Sequence, residues 1–326
     1  MATGTGLDAQ IGLGIEASYG QVAVPSAFYE FNSESIEPTV TKLYSRPLGG
    51  GRFQRAARVR TAVTGAAGDI TLDLVTHGLG KLFLMMFGAV DTQQVGGTDE
   101  YVHTFTPDAD GLRGTSATVQ VGRPSTDGVV HPFTYVGGKV TQWEIAAQMD
   151  AIATLKVTWD FQGVDLSQPL AVPSYPAEAQ PFTFLDGSLT LDGQPFGTVR
   201  SVTLTGANAL NTDRRSFGGV KREPLANNEW AYTGTFESEF ESRDAYDAWV
   251  TGEQQANLIL TFLGGTIPDT SNPYQLVITI PVIEYTGEAP TVDGPDVVAQ
   301  NLPFKALWNG TDPIISLEYH TTDVTP

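Results

Sequence analysis

One pattern, a short alternating strand running straight into an amphipathic helix, occurs twice in this chain. From Tyr232 to Gly252, Phe236, Ser238 and Phe240 take one face of the strand, and Glu237, Glu239 and Glu241 take the other. Ser242 is the expected N-cap, Asp244 and Asp247 suit the positive helix start, and Gly252 stops the helix. Ala245, Tyr246, Ala248, Trp249 and Val250 give that helix an apolar face. Near residue 70, Ile70, Leu72 and Leu74 alternate with Thr71, Asp73 and Val75. Thr76 then caps a helix carrying Leu79, Leu82, Phe83 and Met86 and ending at Gly88. Setting Gly68 against Gly234 puts Leu74 on Phe240, Thr76 on Ser242 and Phe83 on Trp249, a repeat distance of 166 residues. A period that long points to two tandem domains and not to a solenoid.

The rest of the chain divides accordingly. The first domain is expected over 1–165, opening with a small polar arm at Met1 to Gln10. A linker over 166–180 holds Pro169, Pro173 and Pro176, and the second domain covers 181–326. Each half reads as strand, long Gly/Arg connection, strand, helix, then hairpins. Ile11–Ile15 and the extended stretch Ala27–Val40 open the first half. Tyr101–Thr106 and Ser116–Val121 are expected to pair through the turn at Asp108-Ala109-Asp110-Gly111. Lys139–Ala147 and Ala151–Phe161 form a half-buried hairpin, with Val140, Gln142, Glu144 and Ala146 alternating with Thr141, Trp143 and Ile145. In the second half strands are expected at Phe182–Leu191, Thr198–Gly206, Asn257–Leu263, Gln275–Tyr285, Leu302–Asn309 and Ile314–Tyr319.

Charge narrows the partners. The 37 acidic against 18 basic residues give a net charge of −19, which makes the chain a poor general nucleic-acid binder. The imbalance is uneven: residues 1–163 carry −5 and residues 164–326 carry −14. Six of the basic residues nevertheless fall within Lys42 to Arg60, around Gly49-Gly50-Gly51. They include Arg46, Arg52, Arg55, Arg58 and Arg60. The second half has its own basic connection with Arg214, Arg215, Lys221 and Arg222. Aromatic interleaving is limited to Tyr44 and Phe53, so these loops suit docking on the acidic face of an identical neighbour better than RNA or phosphate. There is no cysteine, hence no disulfide framework or thiolate metal site. The opening residues lack a secretion signal, and the longest apolar stretch, Leu82–Val90, is too short to span a bilayer.

Catalytic signals are poor. His77, His103, His131 and His320 are scattered without metal-ligand spacing, and no Gly-x-Ser-x-Gly elbow occurs. Gly49-Gly50-Gly51-Arg52 lacks the Lys-Ser/Thr of a phosphate loop, and Asp108–Gly111 lacks the bidentate Glu of a calcium loop. Glu237, Glu239 and Glu241 form an exposed stripe without the burial that glycosidase carboxylates need. They suit a solvated face, or one lining an assembly surface or channel. No catalytic residue, cofactor or metal is expected.

Specific runs resemble a known family. Gly12-Leu13-Gly14-Ile15-Glu16-Ala17-Ser18-Tyr19-Gly20 with Pro25, then Phe28-Tyr29-Glu30-Phe31 and Ser33-Glu34-Ser35, resembles the start of tail tube proteins from long-tailed bacteriophages. Tyr135-Val136-Gly137-Gly138-Lys139-Val140-Thr141-Gln142-Trp143, with Thr158-Trp159-Asp160-Phe161, resembles that family's recurrent strand pair, and Gly234–Gly252 followed by Leu258–Gly264 is similar to it. The resemblance implies a mainly β fold of two tandem β-sandwich or half-barrel domains, each with one flanking α-helix. It implies rings stacked into a virion tail tube, built in the bacterial host cytoplasm, through which DNA passes without specific binding. Tape-measure and tail-terminator proteins are implied as partners, and no membrane. Two domains per chain point to a trimeric ring with pseudo-sixfold symmetry, a hexamer being the alternative. Other readings are a decoration or receptor-binding virion subunit, and a carbohydrate-binding or carbohydrate-active β-protein.

Overall fold

The computed structural model describes residues 4–49, 51–108, 110–287, 289–292 and 294–326. Met1–Thr3 of the expected arm, Gly50 of the triple glycine and Ala109 of the Asp108–Gly111 turn lie outside the described residues. Along the first half run β1 (Gln10–Ile15), β2 (Ala27–Tyr29), β3 (Ser33–Glu34), β4 (Glu37–Tyr44), β5 (Val59–Asp73) and α1 (Gly80–Phe87). They are followed by β6 (Gly88–Gln94), β7 (Tyr101–Pro107), β8 (Ala117–Pro124), β9 (Val130–Gln148), β10 (Thr154–Phe161) and β11 (Gly163–Asp165). All pairings are antiparallel.

The long strand β9 serves two layers. Its first part pairs with β8 on one edge and β11 on the other, and its second part pairs with β10. The change comes at Gly137-Gly138. Gly137 has φ +63°, which a side chain rarely adopts, and a Cβ on Gly138 would lie 2.6 Å from the Phe161 ring. That is why the strand opens on two glycines before Lys139. β10 continues to β5, and β5 carries β3 and β4 on its far edge. β1 joins β8, and β2 joins β1.

The second half contains β12 (Gly187–Leu191), β13 (Gln194–Pro195), β14 (Val199–Ala207), β15 (Leu210–Asn211), β16 (Leu225–Ala226), β17 (Ala231–Glu239) and α2 (Asp244–Thr251). Then come β18 (Gln255–Thr266), β19 (Pro273–Tyr285), β20 (Ala299–Ala306) and β21 (Ser316–Thr321). Here β19 plays the part of β9. β18 takes one edge, while β21 and β20 share the other in succession. β12 lies on β18 with β13 beside it, and β17 lies between β14 and β20. Two strand ladders cross between the halves: β14 pairs with the second part of β9, and β7, already paired with β6, also takes β21.

Period-2 alternation decides the core. Ile70, Leu72 and Leu74 are buried along β5 and its end, as are Phe236 and Ser238 along β17. Gly68 and Gly234 are both forced by close approach. A Cβ at Gly68 would lie 2.5 Å from the Ser35 carbonyl, and one at Gly234 would lie 2.4 Å from the Phe304 ring and 2.7 Å from the Thr203 carbonyl. The helices differ in depth. α1 buries Leu82, Phe83, Met85, Met86 and Phe87, whereas α2 buries only Ala248 and braces the sheet through Trp249, which meets Tyr246 edge-on at 5.8 Å.

Several expectations are corrected. α1 begins after Leu79, not at Thr76, and α2 begins after Arg243, not after Ser242. Thr76 is drawn into a long-range contact instead: its N–H donates to the Gln180 carbonyl (3.0 Å), and its hydroxyl accepts from the Gln180 N–H (3.1 Å). Tyr101–Thr106 and Ser116–Val121 do not pair with each other. β7 is taken by β6, a strand too polar and too little buried to announce itself, and β8 by β1 and β9. The Lys42–Arg60 connection is shortened at both ends by the β4–β5 hairpin, whose pairing reaches Tyr44 and Val59 and leaves 45–58 as its loop.

At the β9–β14 seam Trp143 stands opposite Gly206, where a Cβ would lie 2.2 Å from the indole. Gly206→Ala therefore overpacks the seam and is expected to cost about 1–3 kcal/mol. A urea unfolding midpoint lowered in that variant, and unchanged in Gly197→Ala, where a Cβ meets nothing within 4 Å, is the check.

Candidate assembly surfaces

The β9–β14 seam joins the sheets of both halves into one surface. Reading across β5, β10, β9, β14, β17 and β20, Thr71, Lys156, Glu144, Thr205, Thr233 and Lys305 stand side by side. The next row is Asp73, Thr154, Ala146, Thr203, Thr235 and Pro303. The opposite face of the same strands carries buried Leu72, Leu155, Ile145, Val202, Phe236 and Leu302. One face is thus core, and the other is a continuous polar surface dominated by hydroxyls. Glu237 and Glu239 belong to this surface. Glu237 stands between Ser201 and Asn301, and Glu239 lies 3.9 Å from Arg200 at an exposed site. Glu241 lies beyond the strand end and is exposed beside α2.

The basic connection of the first half projects as an arm. Arg46, Arg52, Arg55, Arg58 and Arg60 are all exposed, and the first four line a shallow pocket of about 360 Å³ with Phe53 and Gln54. Leu48 and Phe53 at its tip are fully or nearly fully exposed. Bonds within the arm include the Ser45 N–H to the Arg58 carbonyl and the Gln54 amide to the Ser45 carbonyl. A two-stranded ribbon exposing such side chains is marginal alone and suits a partner surface.

The second basic connection is different, and the correction falls on Lys221. Lys221 is buried and forms a 2.5 Å ion pair with Asp160, so it is spent inside the chain. Arg214 donates to the Glu223 carbonyl (2.6 Å), Arg215 makes an exposed pair with Asp213 (3.5 Å), and Arg222 is exposed. Glu223 reaches Lys139, whose side chain is wholly buried, at 2.7 Å, and Lys139 also donates to the Leu112 carbonyl. This connection therefore folds back on the first half.

Glu16, within the Gly-Ile-Glu-Ala-Ser-Tyr-Gly run, is another buried anchor. It accepts from the Gly20 and Gly137 amides (both 2.8 Å) and from the Ser116 and Thr118 hydroxyls (2.8 and 2.9 Å). A carboxylate so satisfied locks the N-terminal turn onto β8 and the bend of β9. Sequence reasoning also passed over a repeated motif. Thr5-Gly6-Leu7-Asp8 and Thr183-Phe184-Leu185-Asp186 each close a 3-10 turn with a reciprocal Thr/Asp capping box, leaving Leu7 and Leu185 exposed. The shared Thr-x-Leu-Asp spelling was the available signal.

Each histidine has a structural neighbour: His77 the Ala177 carbonyl, His103 Thr92 and the Asp323 carbonyl, His131 Ser125, and His320 Glu100. Among the described residues no three His, Cys, Asp or Glu side chains could hold a metal together, and no helix is long and apolar enough to cross a membrane.

Burial raises the Glu223 carboxyl, but Lys139 and the Gly114 amide outweigh it and hold it below its usual value of 4.5. A depressed carboxyl stabilises the fold above its unfolded value and loses that contribution as pH falls through the folded one. The wild-type melting temperature is therefore expected to fall below about pH 4.5 more steeply than that of Glu223→Gln. At pH 7 that variant leaves Lys139 buried without its partner and is expected to lose about 3 kcal/mol.

A search of curated proteins finds no match to this chain. The family described as phage tail tube protein matches residues 6–306, nearly the whole length, and that extent accords with the mainly β architecture and the runs at Gly12–Gly20 and Tyr135–Trp143. The chain belongs to the phage tail tube protein family and is a structural component of the virion tail.

Proposed function

We propose that the two halves are copies of one tube domain and that three chains close into a ring with pseudo-sixfold symmetry. The polar face running unbroken over six strands of both halves carries this reading, because it joins the halves as neighbouring subunits of a ring would be joined. The register about Gly68 and Gly234 supports it further. Through β5 and β17, residues 33–38 occupy the place of residues 201–206. β14 has β17 on one edge and β9 on the other, whereas β3 and β4 have only β5. A second copy would supply the missing neighbour and remove the exposed edge.

In such a ring the polar face lines the lumen. Its Thr and Ser hydroxyls and its carboxylates, Glu237 and Glu239 among them, offer DNA neither a basic wall nor an apolar one, so the genome slides past without being gripped. The arm bearing Arg46, Arg52, Arg55, Arg58 and Arg60, with Arg215 and Arg222, makes contacts between copies, where Leu48 and Phe53 become buried. Assembly takes place in the host cytoplasm, with tape-measure and tail-terminator proteins at work in the same tail.

Electron microscopy of the purified protein tests the ring. Tubes or stacked rings about 100 Å wide, six domains of ordinary diameter around a channel, are expected, with threefold averaging resolving two unlike halves per chain. Rings of six whole chains, or a dispersed monomer, would overturn it. Reversing Arg52, Arg55 and Arg58 to Glu is expected to abolish tube growth while leaving the far-UV circular dichroism unchanged; tubes of normal length would remove the arm from the proposal.

A further inference from the structure

The groove beside α1 in the first half is covered by the chain itself. Residues 180–184 run antiparallel between the end of β5 and the approach to β10. Phe182 N–H donates to the Leu74 carbonyl (2.8 Å), Thr76 N–H to the Gln180 carbonyl (3.0 Å), Ala153 N–H to the Phe182 carbonyl (2.8 Å) and Phe184 N–H to the Ala151 carbonyl (3.1 Å). Val75 faces Pro181 and Ile152 faces Thr183 across the two bridges. This covering segment leads directly into the Thr183–Asp186 capping box.

The corresponding groove beside α2 is bare. Phe240 N–H donates to the Val298 carbonyl (2.9 Å) as Leu74 N–H donates to the Ala153 carbonyl (2.8 Å), which fixes the correspondence. Among the described residues, however, no backbone partner occupies the Phe240 carbonyl, the Ser242 N–H or the Val298 N–H, the places filled by residues 180–182 in the first half. The open cavity of about 280 Å³ is lined by Ser238, Glu239, Glu241, Asp244 and Glu253. Gln300, 4% exposed, lines it too, and its side-chain Nε2 has no hydrogen-bond partner. Ser238 and Gln300 stand where the first half has Leu72 and Leu155. A buried donor left unpaired costs free energy until an acceptor arrives.

We propose that a second copy of this chain covers this groove, with the segment around its own Thr5 capping box lying as residues 180–184 lie in the first half. Thr5–Asp8 and Thr183–Asp186 are the same turn, each leading into a strand, β1 or β12, and each seated on that strand's partner in its own half, β8 or β18. The Thr183 turn has its other side on the preceding half of the chain. Among the described residues, the Thr5 turn has no such support and the groove beside α2 has no such cover. The two vacancies complement one another, and a polar, carboxylate-rich groove accepts the small polar residues Gly4, Thr5 and Gly6 and a main-chain carbonyl for Gln300. In a ring this makes each junction between chains a replica of the junction inside a chain, so the inference rests on the ring reading.

The absence of native cysteine gives a clean test. Ile152 and Thr183 form a non-hydrogen-bonded antiparallel pair, the kind whose short Cα separation accepts a disulfide. The matching intermolecular pair is Val297 with Thr5. Thr5→Cys and Val297→Cys chains, mixed and then assembled and oxidised, are expected to yield a disulfide-linked heterodimer on a non-reducing gel. Ile152→Cys/Thr183→Cys serves as the intrachain control. Tubes that form without the heterodimer overturn the inference and spare the ring; wild-type protein that forms no rings overturns both. Hydrogen exchange on wild-type protein needs no substitution. The Ser242 and Val298 amides are expected to slow at least about tenfold on assembly, and unchanged exchange in intact tubes would also overturn the inference.

Discussion

The pairing of β9 with β14 is the constraint on which the rest of the molecule depends. It makes two sheets into one, aligns the polar rows Thr71 to Lys305 and Asp73 to Pro303, and keeps one face for the core. Backbone hydrogen bonds cannot be satisfied piecemeal. Once Trp143 is fixed against Gly206 by shape, the register of the whole seam follows, and a slip of one residue would turn every core side chain outward. The bend at Gly137-Gly138 lets one strand reach this seam while its first part stays in the other layer with β8 and β11.

Buried polar groups hold the two long connections to different fates. Lys139 with Glu223 and Lys221 with Asp160 draw the second basic connection down onto the first half. Such pairs add little net stability over apolar packing, but removing one partner strands a buried charge, so they specify position strongly. The arm of the first half lacks any buried anchor of this kind and keeps its arginines and its apolar tip outside. A basic residue of this second connection, Lys221, is therefore structural, whereas the arginines of the first arm are exposed.

The repeated strand and helix were legible because alternation and helical periodicity are local signals, written within a dozen residues. Ile70, Leu72, Leu74, Phe236 and the apolar face of α1 fall where the periodicity puts them. The pairing of β7 was not legible, because one of its partners, β6, is a polar strand placed by the end of α1, and the other, β21, lies more than 200 residues further along the chain. The helix starts failed for a related reason. Thr76 has the right chemistry for a cap, but a long-range strand contact with Gln180 claims both its amide and its hydroxyl. Of the residues proposed for assembly, the exposed arginines of the arm were legible as charge without acid, whereas the burial of Lys221 was not, since its partner Asp160 lies 61 residues away.

The sequence by itself determined the class of fold, the strand and helix common to both halves and the family to which the chain belongs. These rest on local spacing and on residue types, which need no knowledge of what packs against what. Only the tertiary structure decided which edges are paired and which stand open, which cations are spent inside the chain, and that the groove beside α1 is covered while the groove beside α2 is not. Those outcomes depend on backbone hydrogen bonds and burial between segments far apart in the chain, and no periodicity within either segment records them.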